Sequence, residues 1–89
     1  MPDIDARLVD PRDAHWEEWN PAHRVALWKR SGDAWESRVF DIDGADVGQV
    51  LDWIQEQPDA ETFTLYAIVV KGEGRGLVRL AGSDPTRSA

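Results

Sequence analysis

His15 and His23 stand eight residues apart and enclose Glu17 and Glu18, the one place in the chain where imidazoles and carboxylates crowd together. A zinc site needs three or four ligands that converge, and the common sites pair them at short recurring spacings. No such spacing occurs here, and the chain has no cysteine to complete a tetrahedron with thiolate. The two histidines therefore read as turn or surface residues, and no metal ligand is assigned. An enzymatic use of either would need a carboxylate within hydrogen-bond reach inside a cleft.

Asp41, Asp43 and Asp46 form a second acidic group. Alternating carboxylates followed by glycine resemble the start of a calcium loop, but the remaining ligands and the terminal glutamate are missing. Helix capping explains the group more simply, with Asp43 as the cap and Asp46 three residues on as an acidic capping box. The segment from Lys71 to Gly76 is glycine-rich and carries two cations. A phosphate cradle would lead from a strand into a helix N-terminus. This segment leads into a strand and has Glu73 at its middle, so it reads as a flexible turn. Ser31, Ser37, Ser83 and Ser88 show no nucleophile elbow. No catalytic residue and no cofactor follow from these patterns.

Five tryptophans in 89 residues are the exceptional feature of the composition. Some must serve the core, and tryptophan is also enriched at binding hot spots. Trp16, Trp19, Trp28, Phe40, Tyr66, Ile68 and Val70 are the residues expected to form an interaction surface.

The formal charge of −7 repels phosphate backbones and anionic membranes, and the basic residues are scattered. Nucleic acid and membrane are therefore not expected partners, whereas a basic protein surface is compatible. The absence of cysteine, of a secretory signal and of a long apolar run gives a cytoplasmic expectation. Arginine outnumbers lysine eight to two beside abundant Asp, Ala, Gly and Val, a composition of GC-rich bacterial coding.

The elements that must position these residues follow from hydrophobic period. Residues 23–30 and 34–42 alternate as two strands joined by a turn at Gly32. Val25 and Leu27 point one way, Ala26 and Trp28 the other. Val47, Val50, Leu51 and Ile54 make a helical stripe, with Trp53 at its rim and Pro58 ending the helix after Gln57. Residues 62–71 form the strongest strand, apolar on both faces, and residues 77–81 a shorter edge strand. The expected fold is α+β of the ββαββ kind: an antiparallel sheet of about four strands with one helix on one face. Residues 1–15 read as a weakly ordered arm, 16–82 as the domain and 83–89 as a flexible tail.

The expected core is Val25, Leu27, Val39, Val47, Val50, Leu51, Ile54, Phe63, Leu65, Ala67 and Val69. The opposite face is expected to hold Trp28, Phe40, Tyr66, Ile68, Val70, Val78 and Leu80. One helix cannot cover both faces of the 62–71 strand, so the arm, a second copy or another protein must cover the second. The functional expectation is a non-catalytic protein–protein interaction module, accessory or regulatory, acting as a homodimer. The alternative is a small-ligand-binding domain with a tryptophan-lined pocket.

Overall fold

A computed structural model describes residues 4–10, 12 and 21–87. The element order is β1 (His23–Ser31), β2 (Ala34–Ile42), α1 (Val47–Gln55), β3 (Thr62–Lys71) and β4 (Gly74–Gly82). The strands form one antiparallel sheet in the order β2-β1-β3-β4, which makes this a ββαββ α+β fold.

Both hairpins close with two-residue turns. Ser31 pairs with Ala34 around Gly32-Asp33, and Lys71 pairs with Gly74 around Gly72-Glu73. Gly32 and Gly72 take φ of 62° and 57°, a region that costs most other residues steric strain. The fourth strand is longer than its apolar run predicts. It starts at Gly74, so only Gly72 and Glu73 of the glycine-rich segment are turn. Edge position tolerates those glycines, because β4 has a strand partner on one side only.

Cross-strand partners share a face of the sheet. Val25 lies between Phe40 and Leu65, and His23 between Ile42 and Ala67. This face meets α1. Val25, Leu27, Val50, Ile54 and Leu65 are buried together, and Phe40, Ile42, Leu51, Trp53 and Phe63 pack around them. Each such aliphatic side chain stabilises the fold by about 1.5–3 kcal/mol through burial.

The register corrects the expected faces. Phe40 belongs to the helix face, where its ring meets Trp53 edge-on with centroids 5.1 Å apart. Val39 then points to the second face and is exposed, not core. The alternation along β2 was readable, but only the pairing Val25↔Phe40 decides which parity faces the helix. Val78 pairs with Ala67 and so also lies on the helix face, beyond the cover of the helix and half exposed. Between the pairs Leu65↔Ala81 and Tyr66↔Arg79 the register shifts, leaving Leu80 as the extra residue of a bulge.

The helix begins one turn later than the Asp43 cap implies. Asp46 is the N-cap: its carboxylate accepts from the Gln49 N–H at 2.8 Å, and the Gln49 side chain accepts from the Asp46 N–H at 2.9 Å. The box is thus completed by glutamine. Val47, at the first helical position, is exposed, while Glu56 ends the helix just ahead of Pro58.

Beyond β4 the chain stays tied to the sheet. Ser83 N–H donates to the Phe63 carbonyl at 3.0 Å. Gly82 allows this return with φ of 83°, and a Cβ there would run into the Phe63 carbonyl. Gly82→Ala is expected to lose about 2 kcal/mol or more of stability. Gly76→Ala, whose added methyl meets nothing, should change it by less than about 1 kcal/mol. Urea denaturation of the two variants beside the wild type checks the contrast.

Candidate interaction surface

The second face is read row by row from the strand register. One row runs Asp41, Arg24, Tyr66, Arg79; the next runs Val39, Ala26, Thr64, Gly82; a third runs Ser37, Trp28, Thr62. Farther along β3, Ile68 lies beside Leu77 and Val70 beside Arg75. Trp35 pairs with Arg30, whose guanidinium carbon sits 4.9 Å from the indole centroid as a cation–π pair.

The structure brings Trp28, Tyr66, Ile68 and Val70 to this one face and sends Phe40 to the other. Trp16 and Trp19 lie outside the described residues. Trp28 is half-buried, and its indole N–H donates to Thr64 Oγ1 at 2.9 Å. Thr64 Oγ1 in turn donates to the Ser83 carbonyl at 2.8 Å. The hydroxyl is 0% exposed at the residue level and uses both its donor and an acceptor site, which is how a buried polar group avoids a desolvation cost. The relay joins β1, β3 and the segment after β4.

Cover over the second face is uneven. Thr64, Ala26 and Ile68 are buried, Tyr66 and Trp28 are half-buried, and Val70 is 65% exposed. Val39 and Leu77 are exposed beside them. The face therefore presents an apolar band that opens toward the β3–β4 turn. A recess of about 390 Å³ lined by Pro21, Ala22, Ile68, Val70 and Arg75 lies at this open end.

Arg24 and Asp41 make the charged boundary of the band, with N–H donations of 2.7 and 3.1 Å from one guanidinium to both carboxylate oxygens. The Arg24 hydrogen bond holds the Asp41 carboxyl below its ordinary range; slight burial opposes this, and the charges of Arg24 and Arg75 add to it. The geometry is bidentate, but both groups are substantially exposed, so the pair contributes little to stability.

The surface or turn reading of His23 is overturned, because cross-strand register turns it toward the helix side of the sheet. His23 is 2% exposed on the helix face, and its Nδ1 has no hydrogen-bond partner. His15, Glu17 and Glu18 lie outside the described residues. Among the described residues no group of three or more His, Asp or Glu side chains is placed to hold a metal. Burial of His23 is a feature that sequence alone hides, since its strand neighbours do not announce which side meets the helix.

A tryptophan does line a recess elsewhere. Phe40, Ile42, Ala45, Gln49, Val50 and Trp53 bound a space of about 370 Å³ at the N-terminal end of the helix. Its Gln49 side chain is already engaged in the helix cap.

Thr64→Val is expected to cost about 1–3 kcal/mol, because the Trp28 N–H and the Ser83 carbonyl both lose their partner. Thr64→Ser should retain the downfield Trp28 indole proton resonance that Thr64→Val displaces. For Arg24 and Asp41 the sign follows from a depressed carboxyl: their contribution is present above the unfolded carboxylate pKa, about 3.9, and is lost as pH falls through the folded value. The stability difference between wild type and Arg24→Gln should stay constant from neutral pH to about 5 and shrink below about 4, as measured by urea titration at each pH.

No helix among the described residues is long and apolar enough to cross a membrane. Comparison of the chain with family models, with curated proteins and with solved structures gave no match.

Proposed function

We propose that the protein is a non-catalytic protein–protein interaction module that self-associates through the second face of its sheet. The observation that carries this reading is the open end of the apolar band, where Val70 is 65% exposed beyond buried Ile68 and beside exposed Leu77. Burying Val70, Leu77 and Val39 against a second copy removes apolar surface that water now touches. Half-buried Trp28 and Tyr66 supply rigid aromatic anchors, since each holds large area at small entropic cost. The Arg24–Asp41 pair at the boundary fits a polar rim that fixes register. A two-fold arrangement needs no second kind of surface, because the same patch serves both copies.

A second reading, a small-ligand domain, is favoured by the recess beside Trp53 and Phe40. It predicts that a ligand shifts the Trp53 indole resonance and that substitution of Val70 leaves that shift unchanged.

The deciding measurement is the solution mass of the wild type beside Val70→Asp and Tyr66→Asp. The wild type is expected at twice the chain mass. Each carboxylate should weaken the dimer by at least about tenfold, or about 1.4 kcal/mol, since an unpaired charge would have to be buried. A folded wild type that stays monomeric at high concentration removes self-association.

A further inference from the structure

The two outer strands of the sheet differ in charge. On β2, Glu36, Arg38 and Asp41 mix both signs, and Asp41 is spent on Arg24. On β4 the charged residues are Arg75 and Arg79, both positive, and all its residues except Ala81 are exposed. With Lys71 and Glu73 of the adjoining strand end and turn, the β3–β4 hairpin carries three cations and one anion. Residues 41–61 carry seven carboxylates and no lysine or arginine. The chain is therefore acidic as a whole but basic along this one edge.

The backbone of that edge is open. β4 pairs with β3 on one side, and no described strand lies on the other. An unpaired edge offers a row of N–H and C=O groups to an extended segment. Gly74 and Gly76 carry no side chain to obstruct it, and the register is regular from Gly74 to Arg79. Arg75, Leu77 and Arg79 point to the second face, because their partners are Val70, Ile68 and Tyr66. Among the described residues Arg75 has no ion pair. Arg79 gives one N–H to the Gly82 carbonyl at 2.6 Å and has four donors left.

We infer that the outer edge of β4 accepts an extended acidic segment of a partner protein as a fifth strand, with carboxylates four residues apart set against Arg75 and Arg79. The spacing follows from the register and holds for either strand direction, since both arginines lie on one face with Leu77 between them. The residue of the guest between its two carboxylates meets Leu77 and is apolar or small. The guest residues on the other face lie beside Gly76 and Val78 and are apolar. Charge selects this occupant over a second β4, which would bring two more arginines to the same edge and, in the register centred on Leu77, set Arg75 directly opposite Arg79. The site uses the backbone edge of β4 and adjoins the face proposed for self-association, with which it shares Leu77.

The test is a titration of the isotope-labelled full chain, followed by NMR, with the peptide Gly-Ser-Glu-Val-Thr-Val-Glu-Ser-Gly. A second peptide has both glutamates replaced by lysine, and a third carries N-methyl groups on alternate backbone nitrogens. The glutamate peptide should shift the amides of Arg75, Leu77 and Arg79 and saturate at a concentration at least about fivefold lower than the lysine peptide. The methylated peptide should lose binding. A chain carrying Arg75→Glu and Arg79→Glu should reverse the preference, and Arg75→Glu alone, with a peptide bearing one lysine, serves if the double variant does not fold. Equal response to both charges, shifts confined to Tyr66 and Val70, or no shift up to about 5 mM peptide would overturn the inference. So would β4 amide signals that change with protein concentration before peptide is added, because a second copy would then occupy the edge. A monomeric wild type that still binds the peptide by charge leaves this inference standing and removes only self-association.

Discussion

The pairing of β1 with β3 is the constraint on which the fold rests. β1 is hydrogen-bonded on both sides, and its Val25 lies between Phe40 and Leu65 in one cluster with Val50 and Ile54. Two hairpins become one sheet only where His23–Trp28 meets Thr62–Ala67. All five fully clustered core residues stand on β1, β3 or the helix that covers them. The same pairing positions Trp28 over Thr64, so the polar relay of the second face exists only because the core of the first face is in register. A slip of one residue would exchange the faces and put Trp28 against the helix.

One helix of nine residues covers only part of such a sheet. It shelters the middle strands and leaves Val78 at the far side of its own face exposed. The second face receives partial cover from Trp28 and the residues after β4, and this cover ends before Val70. The surface left over is apolar near a basic edge, while the loop and helix segment of residues 41–61 is uniformly acidic. Burial and charge thus separate the molecule into a solvated acidic side and a greasy, basic hairpin end.

Much of the architecture was legible in the sequence, for physical reasons. The stripe Val47, Val50, Leu51, Ile54 repeats at helical period, and the glycines at 32 and 72 mark turns whose backbone few other residues adopt. The candidate surface was legible in part: Trp28, Tyr66, Ile68 and Val70 do share a face. Phe40 lies on the opposite face, because alternation fixes which residues of a strand agree with each other but not which set meets the helix. That choice is made by cross-strand register, a long-range quantity. Asp43 and Asp46 have the same capping chemistry, so sequence does not rank them; Asp46 is the cap because Gln49, an uncharged partner, completes its box. The full length of β4 is hidden in the sequence because glycine lowers strand propensity, whereas pairing with β3 overrides it. The buried state of His23 had no local signal at all.

The two-residue turns carry a kinetic implication. Each hairpin joins residues that are near neighbours in the chain, so it can zip locally on a timescale of about 1–10 μs. The β1–β3 ladder instead links Trp28 to Thr62 and His23 to Ala67, across the whole helical segment. Loop closure for that ladder must be met before its hydrophobic reward arrives. Closing the β1–β3 ladder therefore costs more chain entropy than closing either hairpin, and the helix, held by its Asp46–Gln49 cap, shortens the effective tether between the two halves of the sheet.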